Sequence, residues 1–177
     1  MNEHDRPAVA IEYASECAEA PLFEKLLWKV ALWAPFGMRV IWDDTQKSPY
    51  LLRVYLTPDW KGTLRLPRLY LHHFFRSDGD REVHNHPWGK SVSLVLTRGY
   101  REFRWDPVAQ IMEERVVRPW RLNRIGRNDF HRVELHKGRP WTLFLTGRRV
   151  EAAKGEDWGF LNTDNGEYTP WGEWHAK

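Results

Sequence analysis

From residue 45 onward the chain is cut at short intervals by clusters of turn-forming side chains: TPDWKG, RSDGD, RG, WDP, RPW, GRND and HKGRP. The runs between them, 51–56, 68–75, 91–97, 100–105, 111–117, 121–125, 130–135 and 141–147, have strand length and are too short for ordinary helices. Many short strands separated by regular turn signals predict an all-β sandwich or barrel. The segment before residue 45 reads differently. In PLFEKLLWKVALWAPFG, Pro21 suits a first helical turn, and Leu22, Phe23, Leu26, Leu27, Val30 and Trp33 recur at helical spacing. Pro35 and Gly37 end the run. The expected organisation is therefore an N-terminal extension, 1–45, carrying one amphipathic helix, followed by a β-barrel over 46–177 with an aromatic C-terminal tail that packs back onto the body.

The polar face of that helix holds Glu24, Lys25 and Lys29, a mixed set that suits packing against a sheet or a second subunit better than a lipid surface. A homodimer is thus among the expectations, and a membrane partner is not. No stretch approaches the roughly 18 apolar residues of a membrane span. The N-terminus MNEHDRPAVAIEY lacks a signal-peptide core, and Cys17 has no second cysteine to pair with, so the expected location is the cytoplasm. Charge is unevenly spread. Residues 1–50 carry five basic and eight acidic side chains, so the net charge of +3 arises in the arginine-rich remainder. Arginine suits carboxylate and phosphate ligands because its planar fork binds them through two donors. The run RPWRLNRIGR places Arg118, Arg121, Arg124 and Arg127 at three-residue steps. Such steps alternate faces on a strand, so they make no single stripe for nucleic acid, and that class of partner ranks low.

The stretch DREVHNHPW holds the most chemistry. If 82–86 is extended, Glu82, His84 and His86 point to one face. Two imidazoles at i and i+2 can reach one metal ion at about 2.0–2.2 Å from each nitrogen. A His-x-His pair arises readily by chance among 8 histidines, so a third ligand from another strand is required. His131, after the turn GRND, is the candidate, and His136, one residue beyond that strand, is expected to face solvent. Of His72 and His73 in RLYLHHFF, one must face inward, as a core histidine or as a partner that orients a ligand. His4 and His175 fall near the termini.

These segments resemble the cupin superfamily, whose first motif has the form G-x5-H-x-H-x3,4-E-x6-G and whose second has the form G-x5-P-x-G-x2-H-x3-N. Here HNHPWGKSVSLVLTRG supplies both histidines and a closing glycine, Gly99, and RIGRNDFH supplies Gly126 and the second-motif histidine, His131. The resemblance covers about residues 65–150 and is to small single-domain cupins of bacterial and phage genomes that read H-x-H-P-W. It implies a double-stranded β-helix, a jelly-roll barrel, with a metal inside. The family's glutamate position falls on Lys90 or Ser91, so the sphere it implies is His84, His86 and His131, with Glu82 as an extra ligand suggested by strand geometry alone.

A single divalent transition metal is expected, with iron(II) favoured over zinc, manganese or nickel. The favoured function is an iron(II)-dependent oxygenase acting on a small polar or anionic substrate inside the barrel. The alternatives are a non-catalytic barrel that binds or senses a small ligand and a zinc-type Lewis-acid enzyme. Trp88, Tyr100, Arg101 and Arg132 lie near the site in sequence and are the substrate-binding candidates.

Overall fold

The structure, a computed structural model, describes Cys17 and residues 19–43, 48–58, 67–78, 82–150 and 156–174. His4, His175 and much of the expected TPDWKG turn lie outside the described residues. Helix α1 (Leu22–Trp33) is followed by strands β1 (Met38–Asp43), β2 (Ser48–Tyr55), β3 (Leu69–Phe74), β4 (Val83–His84), β5 (Lys90–Val95) and β6 (Tyr100–Asp106). After a turn come β7 (Ile111–Val117), β8 (Leu122–Gly126), β9 (His131–Glu134), β10 (Trp141–Thr146), β11 (Gly159–Leu161), β12 (Tyr168–Pro170) and a short helix α2 (Trp171–Trp174). All eight expected strands are present. β1, β11 and β12 were not anticipated, because the first follows a helix directly and the other two sit among turn residues.

Strand pairing is nested about the β6–β7 turn. β6 pairs with β7, β5 with β8, β4 with β9 and β3 with β10, all antiparallel. The chain is thus one long hairpin wound on itself, which gives two facing sheets, β1-β2-β3-β10-β5-β8 and β12-β11-β4-β9-β6-β7. This is a jelly roll. Its innermost turn is set by Asp106, whose Oδ1 accepts the backbone N–H groups of Val108 and Ala109 at 2.8 and 3.1 Å. At the β5–β6 turn Gly99 has φ +79°, and a Cβ there would lie 2.7 Å from the Val117 carbonyl oxygen, so no other residue fits.

The space between the sheets is filled by Leu51, Phe74, Val95, Tyr100, Val117 and Val133 on one side and by Tyr70, Trp88, Ile125 and Phe144 on the other. A second core lies outside the first sheet. There α1 buries Leu27, Trp28 and Ala31 against Val40, Leu52, Val54, Leu71 and Trp141. The helix covers a sheet, but by a stripe rotated from the one its periodicity suggests. Leu22 and Trp33 are more than four-fifths exposed, and Leu26 and Val30 are also exposed. Trp28 decides the rotation, since its ring fits edge-on between Trp141 and His73, each at 5.0 Å. Arg98 clamps the same orientation by donating to both carboxylate oxygens of Glu24 at 2.7 and 3.2 Å. Among the described residues no helix is long and apolar enough to cross a membrane.

Candidate metal centre

The segment His84–His86 is held extended by the residue between the two histidines. Asn85 is buried, its Oδ1 accepts the Gly159 N–H at 2.9 Å, and its own N–H donates to the Gly159 carbonyl at 3.1 Å. With Asn85 fixed to the tail strand β11, His84 and His86 turn to the opposite face, toward the barrel. His131 is the register partner of His84 across β4 and β9. One ligand nitrogen from each of the three rings lies within 4.8 Å of the others. His86 Nε2 and His131 Nε2 are 2.9 Å apart.

His131 is oriented from behind by Glu102, which no sequence motif singled out. Its Oε1 accepts from His131 Nδ1 at 2.7 Å and from Asn123 Nδ2 at 2.9 Å. Arg104 donates through Nε to Oε2 at 3.2 Å, and Arg115 pairs with the same oxygen. The carboxylate is fully buried yet has every lone pair engaged. Burial pushes its pKa up. The His131 hydrogen bond and charge, Arg104 and Asn123 outweigh this and hold the carboxyl well below its usual range. An ionised Glu102 accepting at Nδ1 leaves His131 Nε2 as a bare lone pair aimed at His86, the arrangement by which a carboxylate fixes a ligating imidazole. The sequence signal was partial: alternation puts Glu102 on the same strand face as Tyr100, and the structure turns that face inward.

Burial lowers His84 to about 4 and, with the charges of His131 and His84, lowers His86 well below its ordinary value. Both therefore stand as neutral imidazoles, the form that ligates metal. Two nitrogens about 2.1 Å from one ion and at right angles to each other lie about 3 Å apart, so the His86–His131 spacing fits neighbouring positions on a single ion. The donor set is all imidazole, which suits the later first-row divalent metals.

No family model matches the sequence, and no curated protein is similar to it. Solved structures do share the architecture. A capsular polysaccharide assembling protein, CapF, from Staphylococcus aureus aligns with 80% of this chain and 38% of its own at 15% identity and TM-score 0.53. An iron(II) form of HppE aligns with 63% of this chain and 57% of its own at 13% identity and TM-score 0.48. A cupin-2 domain from Rhodospirillum rubrum aligns with 67% of this chain and 74% of its own at 13% identity and TM-score 0.46. The architecture that the likeness to CapF supports is the antiparallel jelly roll described above. At such identities the likeness bears on the fold alone. The match spans less than two thirds of the CapF and HppE chains.

Within this barrel the histidines open onto a cavity of about 450 Å³ between the two sheets. Trp88 and Tyr100 line it. Trp88 stacks on His86 at 5.7 Å and 30°. Burial and the Glu102 charge raise the Tyr100 hydroxyl to about 12, so it stays protonated. Glu82 also lines the cavity, but it lies outside the histidine group and accepts from Asn162 at 3.3 Å. Arg101 and Arg132 are not among the cavity-lining residues, which corrects their expected role. Arg101 pairs with Glu114 and Glu134 on the outer face, and Arg132 lies over the Phe103 ring at 4.5 Å. Strand alternation explains this, because Glu102 and His131 face inward and their neighbours must face out. The arginines that do reach the cavity are Arg39, Arg53 and Arg149. The tail contributes Trp158, Phe160, Trp171 and Trp174 to its rim.

Proposed function

We propose that the protein binds one divalent transition metal through His84, His86 and His131 and, loaded with iron(II), is an oxygenase for a small polar or anionic substrate held in the barrel. The observation that carries this reading is the convergence of three imidazole nitrogens within 4.8 Å on the wall of a closed-in cavity. A metal held only by neutral rings keeps its full charge and leaves coordination positions open, and iron(II) adds redox chemistry. The chain's own contribution is positional. Glu102 holds His131 in one tautomer, and Asn85 holds His84 and His86 on the inward face. The rings of Trp88, Phe144, Trp158 and Phe160 line the cavity beside the histidines.

The test has two steps. Metal analysis of the purified chain is expected to give about one transition metal per chain, and His84→Ala, His86→Ala and His131→Ala are each expected to lose most of it. Reconstitution with iron(II) under nitrogen, addition of pooled small organic acids and admission of air should then give oxygen uptake that the variants lack. Full occupancy in all three variants after dialysis against a chelator refutes the site. Zinc retention without oxygen uptake from any pool moves the reading to Lewis-acid chemistry or to simple ligand binding.

A further inference from the structure

The inner face of the first sheet carries a row of residues that the histidine centre does not use. Arg39 on β1, Arg53 on β2, His72 on β3 and Thr142 on β10 are successive register partners, and all four line the cavity. Arg39, exposed on the edge strand, and the half-buried Arg53 stand directly opposite one another and repel. Arg53 Nε donates to His72 Nε2 at 3.1 Å. Its guanidinium also lies over the Tyr70 ring, 5.1 Å from the centroid. Neither partner carries a negative charge. Among the described residues no carboxylate pairs with Arg53 or Arg39, whereas Arg149, in the same cavity, pairs with Asp157. Burial pushes the Arg53 guanidinium below the usual arginine range, and neighbouring Arg39 pushes it further down.

The geometry around Arg53 is rigid. His72 is buried and lies between Tyr70 and Phe144, stacked on them at 5.6 and 5.2 Å. By accepting from Arg53 it fixes the direction of the guanidinium and occupies only Nε. Among the described residues none accepts from the two terminal nitrogens, the pair that forms a fork to an oxyanion. Arg53 and the three histidines line one cavity, and Phe144, stacked on His72, also lies 5.8 Å from the His86 ring. A buried cation without a counter-charge costs free energy that a ligand anion can offset.

We propose that Arg53, backed by His72 and flanked by Arg39, is the subsite for the acidic group of a small organic oxyanion, a carboxylate or a phosphate, whose other end points at the His84–His86–His131 cluster. The proposal deepens the function above and rests on the cavity being a substrate chamber, not on the identity of the metal. It replaces Arg101 and Arg132 with the arginine that the strand pairing turns inward.

The test is anion binding to the full chain stripped of metal with a chelator, read by tryptophan fluorescence, because Trp42, Trp88 and Trp158 line the cavity. The probes are acetate, benzoate and inorganic phosphate, and their relative affinities tell a carboxylate subsite from a phosphate one. Wild-type protein and the surface control Arg118→Gln should bind at least one probe saturably. Arg53→Gln should weaken that binding by at least about thirtyfold, the scale expected for removing one partner of a desolvated charge pair. Arg53→Lys should recover part of it. Thermal melting of Arg53→Gln without anion should be no lower than wild type, which separates loss of a subsite from loss of the fold. Equal affinities in wild type and Arg53→Gln, or no saturable binding of any probe to wild type, overturn the proposal. Anion binding by a wild-type chain that takes up no transition metal would sink the metal reading and leave this one standing. Arg53→Gln that keeps its metal but loses the anion supports both.

Discussion

On the wall formed by β6 and β9, Glu102 is fully buried with partners for both oxygens: His131, Asn123, Arg104 and Arg115. On the facing wall, Arg53 carries the opposite charge, and among the described residues its partners are a neutral imidazole and an aromatic ring. Both groups sit inside one barrel, and both lose hydration. The first wall is complete as the protein makes it, so its charge serves to fix a histidine. The second is left unbalanced, and an unbalanced charge inside a cavity is a place for something the chain does not supply. The comparison separates residues that build the site from residues that wait for a ligand, a distinction burial alone does not make.

The sharpest way to break the comparison is to neutralise each charge in turn. Glu102→Gln should destabilise the protein by about 3 kcal/mol, because it strands Arg104 and Arg115 beside a neutral group. The same change should weaken metal binding by about 10–100-fold through a loosened His131. Urea unfolding and metal titration read the two effects. Arg53→Gln should show no such loss of stability, and equal destabilisation by both variants would erase the contrast.

A smaller effect comes from pH. Burial, with help from Arg53, pushes His72 well below its ordinary value, so the folded chain holds it neutral. On unfolding it regains a value near 6.5, and the unfolded state then binds more protons below that pH. The stability it contributes is therefore complete above about pH 6.5 and declines as pH falls. Between pH 7.5 and 5.5 the wild type should lose about 1 kcal/mol more than His72→Gln, measured by urea midpoints at both values. Saturating anion at Arg53 should flatten this slope, since a negative charge beside the Arg53–His72 pair offsets the Arg53 charge that helps to lower His72.

The smallest effect belongs to the outer face. Arg101→Gln removes a solvent-exposed pairing with Glu114 and Glu134 and should change stability by less than about 1 kcal/mol. It should leave anion and metal binding untouched. A large loss of anion binding in this variant would show that the cavity is not where the anion sits.

Much of the fold was legible in the chain because strand ends are local. The turn clusters bounded all eight expected strands, and 111–117 matched its strand end to end. Where local signals were thin the reading stopped. β11 and β12 are three residues each and lie among turn formers, so only pairing, of β11 with β4 and of β12 with β11, makes them strands. Helix α1 was legible as a helix, but its buried stripe was not. Leu26 and Leu27 are equivalent to a periodicity count, and the hole between His73 and Trp141 that takes Trp28 exists only once the sheet has formed.

The sequence by itself determined that His84 and His86 share a face, since alternation along an extended segment is a property of the backbone and needs no partner. It determined equally that Tyr100 and Glu102 share a face and that Arg101 takes the other. It did not say which of those faces was the inside. That choice, the placing of His131 opposite His84, and the row from Arg39 through Arg53 to His72 depend on register between strands up to tens of residues apart. Register is set by which faces bury together, and burial belongs to the assembled sheets rather than to any one strand.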